Sequence, residues 1–436
     1  MEKIKETILD KIGIPHVLAW GYLGVLIFMM GDGVEQGWLS PYLIDRNFTV
    51  DDSALMFSVY GITIGISSWL SGVLSDILGV RKTMFCGLII YLLGVVGFVG
   101  IALDQFNYPL MLVMYAIKGF GYPLFAYTFL VWIAKKSPNA MLGKAVGWFW
   151  FVFTGGLSVL GAIYARWAIH ALGHIPTLWT AIIWALIGAL FALVFMKFNV
   201  PNANKTNEET PKESKMKELL RGFTIMIKVP KIGISGIIRT INTTTLFAFP
   251  VFLPTYMIKQ GFTEDQWLFI WAVAVGGNII FNLIFGFVGD FIGWRKTVMW
   301  FGCGGCTVGS LLFYYAPQIF PGSMLFVMIC GFFWGAMLAG YVPLSALVPS
   351  LVKEEKGAAM SILNLGAGLS AFVGPAIIKL VFPSFGNEGV IWTFAILYII
   401  SGILSKFIAL PDEKIGTPRQ IRKMELEKLN AAVDSE

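Results

Sequence analysis

Charged residues are scarce in this chain. Only 13% of its 436 residues are Asp, Glu, Lys or Arg, about half of the roughly 25% that is usual in soluble domains. Apolar residues make up 57% of the chain. This composition excludes a soluble multidomain protein of the same length and predicts an integral membrane protein.

Histidine and cysteine are also too few to predict a metal centre. Cys303 and Cys306 have the spacing of a metal-binding pair, but all four cysteines lie in apolar segments without a histidine. We interpret this pair as small residues for helix packing. His16, His170 and His174 are expected at the two membrane surfaces. Because no nucleophile with a base and no pair of catalytic aspartates appears, we expect neither a cofactor nor enzymatic activity.

Apolar runs of about 20 residues, each long enough to cross roughly 30 Å of hydrocarbon, are abundant. Twelve such spans are expected near residues 17–43, 54–76, 83–103, 107–134, 142–165, 175–197, 231–258, 266–289, 297–315, 323–350, 357–382 and 388–410. With both termini inside, 26 of the 32 Lys and Arg residues lie in cytoplasmic segments, which the positive-inside rule favours. The net charge of +6 therefore reflects topology and indicates no nucleic-acid partner.

One twelve-residue pattern occurs twice. Residues 72–83 read GVLSDILGVRKT and residues 286–297 read GFVGDFIGWRKT. Six identities recur at a constant offset of 214 residues, which predicts an internal duplication. We therefore expect an N-terminal segment 1–16, a six-helix half 17–197, a linker 198–230 with a possible surface helix, a second half 231–410 and a cytoplasmic tail 411–436.

The repeated pattern is predicted to be a tight cytoplasmic loop that acts as a hinge or latch. Its first glycine lets a neighbouring backbone approach and its second permits the turn, while its Asp can accept hydrogen bonds from an adjacent helix start. The Arg-Lys pair holds the loop at the membrane surface. The predicted gating-loop residues are Gly72, Asp76, Gly79, Arg81, Lys82, Gly286, Asp290, Gly293, Arg295 and Lys296.

This loop resembles the Gly-x-x-x-Asp-x-x-Gly-x-Arg-Lys signature of the major facilitator superfamily. The resemblance implies an all-α membrane fold of twelve helices, in two pseudo-symmetric six-helix halves around a central cavity, working by alternating access. Both copies depart from the usual pattern, with Ile77 and Phe291 after the Asp and with Val80 and Trp294 before the Arg.

Three longer blocks are similar to the bacterial polyol porters, which take up ribitol and arabinitol with protons. They are GYLGVLIFMMGDGVEQGWLSPYL in the first span, YAIKGFGYPLFAYTFLVWIA in the fourth and AVGWFWFVFTGGL in the fifth. The resemblance implies a pentitol substrate, proton symport and a place in the bacterial inner membrane.

Four charged residues are expected inside the spans, where each needs a partner, water or a task. They are Asp32, Glu35, Lys118 and Arg239. Asp32 and Lys118 lie at similar depths in their helices, so an ion pair between them is predicted, with either a substrate-binding or a purely structural role. Glu35 is then expected to lack a cation and to carry the coupling proton, although Asp32 could exchange roles with it.

Further polar and aromatic side chains are predicted to contact substrate, because amides and rings suit a hydroxyl-rich solute. Interhelical hydrogen bonds, packing and, for Arg239, anchoring at the inner surface are the alternatives. The predicted contacts are Asp32, Gln36, Lys118, Tyr122, Trp148, Arg239, Asn242, Asn278, Asn282, Trp334, Tyr341 and Asn364.

The buried charges sum to zero, which favours a neutral substrate. We therefore predict a monomeric secondary transporter in the lipid bilayer that takes up a small neutral polyol with protons. One alternative is an organic-anion or acidic-sugar carrier that uses Lys118 and Arg239. Another is a non-transporting membrane sensor, although no tail is long enough for an output module.

Overall fold

The computed structural model describes residues 7–35, 38–48, 50–138, 141–196, 224–353, 355–414, 416–421 and 423–424. Within these ranges the chain is helical and contains no strand. We number the α-helices in chain order. They are α1 (Ile8–Lys11), α2 (Ala19–Gly33), α3 (Leu39–Asp45), α4 (Val50–Ile77), α5 (Val80–Gly97), α6 (Tyr108–Lys136), α7 (Leu142–Thr154), α8 (Gly161–Leu172), α9 (His174–Ala189), α10 (Pro230–Lys259), α11 (Glu264–Ile292), α12 (Trp294–Thr297), α13 (Cys306–Ile319), α14 (Met324–Leu338), α15 (Leu344–Ser350) and α16 (Lys356–Ser405).

Several membrane spans consist of more than one of these helices. Short π-helical turns join α7 to α8 at Gly155–Leu160 and α12 to α13 at Val298–Gly305, and others extend α5 and α9. In the part of the chain that the structure describes, eleven helical stretches are long and apolar enough to cross a membrane. The last of them, Lys356–Ile408, breaks at Gly386, where φ is 61°. This break separates the predicted eleventh and twelfth spans.

The first span differs from its prediction as one continuous helix over 17–43. Helix α2 ends at Gly33, and the next helix, α3, begins at Leu39. Three glycines, at positions 31, 33 and 37, weaken the helix here, because glycine is the least favourable residue in a helix interior after proline. Between the two pieces, the Trp38 indole donates to the Val34 carbonyl at 2.6 Å. Glu35 therefore lies in a turn rather than in a helix.

The helices form two compact units. Unit 1 comprises the described residues of Met1–Lys136, Phe149–Ile225 and Lys356–Phe372. Within it, α2 packs on α9 through two facing glycines: a Cβ at Gly24 would lie 2.6 Å from the Gly188 carbonyl oxygen. Helix α6 lies between α4 and α5. Small-residue contacts such as that between α2 and α9 let helix backbones approach closely.

Unit 2 comprises the described residues of Ser137–Trp148, Met226–Glu355 and Val373–Glu436. Helix α14 packs against α11 and α13. Its side chain Trp334 is fully buried, and its ring lies 4.8 Å from that of Phe249, centroid to centroid. The two halves predicted from the repeat, 17–197 and 231–410, stay a prediction. Residues 198–223 of the linker and 425–436 of the tail lie outside the described part.

Candidate functional site

An ion triad lies in the interior of unit 1. The Lys118 ammonium nitrogen lies 3.1 Å from Oδ1 of Asp32 and 2.5 Å from Oε1 of Glu35. These side chains are 1%, 2% and 7% exposed. The predicted contact between Asp32 and Lys118 is therefore present, and one cation serves two carboxylates.

The expectation that Glu35 lacks a cation is wrong. Asp32 and Glu35 are three residues apart, and the flexible four-carbon side chain of Lys118 on α6 reaches both carboxylates. Because the triad has two acidic groups and one basic group, it carries a net charge of −1 when all three are ionised. Burial of such a charge is costly unless a proton, water or another cation offsets it.

Two tyrosines that the sequence reasoning missed complete this cluster. The Tyr60 hydroxyl donates to both oxygens of Asp32, at 3.1 and 3.2 Å. The Tyr115 hydroxyl donates to Oε1 of Glu35 at 2.6 Å. Their rings stack on each other at 4.5 Å, and each lies within 5.6 Å of the Lys118 ammonium. The one available signal was spacing: Tyr115 precedes Lys118 by three residues and so shares its helix face.

Glycines let the elements of this cluster come together. A Cβ at Gly94 on α5 would lie 2.3 Å from the Lys118 backbone nitrogen. A Cβ at Gly119 would lie 2.6 Å from the Tyr60 ring. Both faces of α6 are therefore in close contact with neighbouring helices, and the Lys118 side chain is held where α2, α4 and α6 meet.

The predicted residue Arg239 belongs to a separate buried cluster in unit 2. It is 7% exposed, and its guanidinium donates to the amide oxygen of Asn242, three residues later on α10. The Asn242 amide donates to the Leu338 carbonyl at 3.3 Å, and the Tyr398 hydroxyl donates to the Asn242 carbonyl at 3.0 Å. Arg239 thus belongs to a network of hydrogen bonds that joins neighbouring helices, which disfavours simple anchoring at the inner surface.

The other predicted amides also take part in hydrogen bonds between or along helices. The Asn278 amide donates to the Gly335 carbonyl on α14 at 3.3 Å. The Asn282 amide donates to Asn278 at 3.4 Å. In unit 1, the Asn364 amide donates to the Ser71 hydroxyl at 3.1 Å. The interhelical interpretation of these amides is therefore supported, and contact with substrate stays a prediction.

The predicted aromatic residues lie in both units. In unit 1, Tyr122 is nearly buried, 6.3 Å from the ring of Tyr60. In unit 2, Trp334 and Tyr341 are buried, and the Tyr341 hydroxyl donates to Ser401 at 3.2 Å. Trp148 is half-buried. Gln36 lies outside the described residues.

The two copies of the gating loop have the predicted turn geometry. Gly79 and Gly293 have φ of 85° and 111°, a region that favours glycine, and each directly precedes a helix. Asp76 contacts the Lys135 ammonium at 2.5 Å. Asp290 instead accepts from the Trp294 indole at 2.7 Å. The sequence departure at position 294 therefore supplies a partner for the second Asp.

The first glycine of each loop copy permits a close helix contact. A Cβ at Gly72 would lie 2.3 Å from the Gly357 carbonyl oxygen, within unit 1. A Cβ at Gly286 would lie 2.9 Å from the Gly143 carbonyl oxygen, within unit 2. In the second copy, Arg295 also forms an ion pair with Glu413 at 2.7 Å. These contacts tie the loops to neighbouring helices and to the tail.

Buried charges beside helices long enough to cross a membrane are typical of multi-pass membrane proteins that move ions or solutes, transporters among them. The sequence model of the Major Facilitator Superfamily matches residues 21–280 and 237–432. The chain belongs to the major facilitator superfamily.

Several relatives match over nearly the whole chain. The "Putative transporter YoaB" of Bacillus subtilis is 50% identical over 93% of this chain and 97% of its own length. The "Alpha-ketoglutarate permease" of the same organism is 49% identical, covering 94% and 93%. The "D-arabinitol transporter" and "Ribitol transporter" of Klebsiella pneumoniae are 37% and 36% identical, each covering 91% of this chain and 93% and 92% of their own lengths. The predicted resemblance to polyol transporters is confirmed.

Two solved structures share the fold. The fucose:proton symporter FucP of E. coli superposes with a TM-score of 0.71 at 14% identity, covering 90% of this chain and 99% of that one. The proton:xylose symporter XylE superposes with a TM-score of 0.68 at 17% identity, covering 90% and 95%. The predicted fold class, twelve helices in two pseudo-symmetric six-helix halves, is confirmed. Family and fold are those of transporters and not of enzymes.

Proposed function

We propose that this protein imports a sugar alcohol, a pentitol such as ribitol or D-arabinitol, together with a proton. Transport proceeds by alternating access across the bacterial inner membrane, with both termini in the cytoplasm and one chain as the working unit. Residues 17–197 and 231–410 act as the two moving halves, and the two loop copies act as the gate. The single observation that carries this proposal is the buried cluster of two carboxylates around one ammonium.

The cluster favours a neutral substrate. Lys118 is already in contact with both Asp32 and Glu35. An anionic substrate could reach this ammonium only by displacing a carboxylate, and it would meet a region whose net charge is negative. A hydroxyl-rich solute meets no such repulsion, since hydroxyl groups can donate to carboxylates and accept from tyrosines and amides.

The same cluster favours coupling to protons. Its net charge of −1 is offset when one carboxylate takes up a proton, and the resulting neutral cluster is less costly inside a bilayer. The cost of the unprotonated state links proton binding to the conformation of the protein. Asp32 and Glu35 are therefore the two candidate proton carriers.

A second candidate function is transport of an organic anion such as alpha-ketoglutarate. It is supported by the 49% identity to the relative that bears this name. The buried guanidinium of Arg239 in unit 2 is the group that could meet a carboxylate. Lys118, the other cation of this alternative, already contacts two carboxylates and is less suited to bind an anion.

Uptake into proteoliposomes under an imposed membrane potential separates the two candidates. A neutral pentitol that enters with one proton carries one positive charge, so an inside-negative potential of 100 mV should raise its accumulation by roughly 50-fold. Alpha-ketoglutarate is a dianion, so with one proton its entry is opposed by that potential, and with two protons it is unaffected. Potential-driven accumulation of ribitol or D-arabinitol supports the proposal. Uptake of alpha-ketoglutarate alone would replace it, and no uptake of any of the three solutes would contradict both candidates.

A further inference from the structure

The two carboxylates of the triad differ in how their oxygens are bonded. In Glu35, Oε1 accepts from the Tyr115 hydroxyl at 2.6 Å and is the oxygen nearest to the Lys118 ammonium, at 2.5 Å. In Asp32, the Tyr60 hydroxyl reaches both oxygens. A proton on Oε2 of Glu35 therefore leaves the two contacts at Oε1 in place. In Asp32, both oxygens lie within hydrogen-bond distance of the Tyr60 hydroxyl, so a proton added to either oxygen competes with that hydrogen bond.

We propose that Oε2 of Glu35 takes up the coupling proton and that Tyr115 is the positioning residue that sets its proton affinity. This inference rests on the proposed proton symport. A hydroxyl that donates to a carboxylate stabilises the ionised form. Tyr115 therefore makes Glu35 easier to deprotonate, so that a proton taken up on one side of the membrane can be released on the other.

The surroundings of Glu35 make Tyr115 the side chain best suited to this role. The titratable groups that face Glu35 are Asp32 on its own segment, Tyr60 on α4, Tyr91 on α5, and Lys118 and Tyr115 on α6. Lys118 is shared with Asp32, and Tyr60 donates to Asp32. Among the residues that the structure describes, Tyr115 is thus the uncharged side chain that donates to Glu35.

The Tyr115 ring is held independently of its hydroxyl. It stacks on Tyr60 at 4.5 Å, and it lies 5.0 Å from the ring of Phe98 and 5.6 Å from that of Phe57. A phenylalanine at this position keeps these ring contacts and removes only the hydrogen bond. Tyr60→Phe is the matched control, because it removes the hydroxyl from the other carboxylate.

The test measures initial pentitol uptake into proteoliposomes as a function of external pH. Loss of the Tyr115 hydroxyl favours the protonated form of Glu35. In Tyr115→Phe, Glu35 should therefore remain protonated up to a higher pH than in the wild type. We expect the pH of half-maximal uptake to rise by about one unit, as for the loss of one hydrogen bond to a charged group. Tyr60→Phe should keep the midpoint of the wild type.

Each other outcome has a defined meaning. An unchanged midpoint in Tyr115→Phe, equal shifts in both variants, or a shift in Tyr60→Phe alone would overturn the assignment. If Tyr115→Phe does not fold, pentitol exchange without a gradient decides the assignment. The rate of this exchange should no longer depend on pH in Glu35→Gln and should still depend on pH in Asp32→Asn. Exchange that depends on pH in Glu35→Gln but not in Asp32→Asn would contradict the assignment of the proton to Glu35. Absence of proton-driven uptake in the wild type would instead overturn the proposed function.

Discussion

Asp290 caps the first turn of helix α7, because its Oδ2 accepts a hydrogen bond from the backbone N–H of Lys144 at 3.3 Å. Gly143 makes this approach possible, since a Cβ there would lie 2.1 Å from Oδ1 of Asp290. The other copy of the loop repeats the relationship: a Cβ at Gly357 would lie 2.2 Å from Oδ2 of Asp76. An Asp next to a helix start is favoured by the helix dipole. In both copies of the repeated sequence, the Asp side chain therefore lies against a glycine at the start of another helix.

Trp294→Phe should destabilise the second loop. The indole donates to Oδ1 of Asp290 at 2.7 Å, and Asp290 is 3% exposed. Loss of this donor leaves a buried acceptor with one partner fewer, which costs about 1–3 kcal/mol. Thermal unfolding of the purified protein measures this loss. Trp300→Phe is the control, since Trp300 is 67% exposed, and an equal effect of both substitutions would contradict the role of the indole.

Gly72→Ala should weaken the contact of α4 with the start of α16. The added Cβ would lie 2.2 Å from the Ser361 hydroxyl and 2.3 Å from the Gly357 carbonyl oxygen, so backbone must shift, at a cost of about 1–3 kcal/mol. Gly276→Ala is the matched control, because no atom lies within 4 Å of its added Cβ. Since alanine also favours the helix, the control should be neutral or stabilising by up to about 1 kcal/mol. Equal unfolding temperatures for the two variants would be evidence against the close approach.

Lys118→Met should be among the most destabilising substitutions in unit 1. It leaves Asp32 and Glu35 buried without their cation, and breaking a buried ion pair in this way costs about 3–5 kcal/mol. The triple variant Lys118→Met, Asp32→Asn, Glu35→Gln removes all three charges and should recover much of this stability without recovering proton coupling. If the single and triple variants unfolded at the same temperature, the charge balance would not be what holds the cluster together.

The pair of Arg295 and Glu413 should contribute little to stability. The Arg295 Nε donates to both oxygens of Glu413, at 3.0 and 2.7 Å, but each side chain is 20% exposed. A double-mutant cycle with Arg295→Gln and Glu413→Gln should give a coupling energy of about 1 kcal/mol or less. A value near 3 kcal/mol would show that the tail is a structural part of the loop.

The sequence predicts the fold better than it predicts the details of the site. The repeated motif and the apolar runs depend on local pattern, so the spans, the glycine turns and the contact of Asp32 with Lys118 could all be predicted. The break after Gly33 could not, because the apolar length of the span outweighed its three glycines. That break changes the geometry around Glu35.

The partners of Glu35 could not be read from spacing alone. Whether Lys118 reaches one carboxylate or two depends on the distance and angle at which α2 and α6 cross. The sequence does not contain that information. Tyr60 was missed for the same reason, since it comes from α4, a helix with no charge near the cluster. Residues that act through hydroxyl groups on other helices leave no periodic signal.

Proton movement that accompanies substrate entry tests the central claim most directly. A pH electrode follows a lightly buffered suspension of de-energised cells that contain the protein, while ribitol, D-arabinitol or alpha-ketoglutarate is added. Proton symport of a neutral polyol predicts a transient alkalinisation of the medium with a pentitol, and predicts that Glu35→Gln abolishes it. No alkalinisation with either pentitol, together with a clear one on addition of alpha-ketoglutarate, would contradict this account.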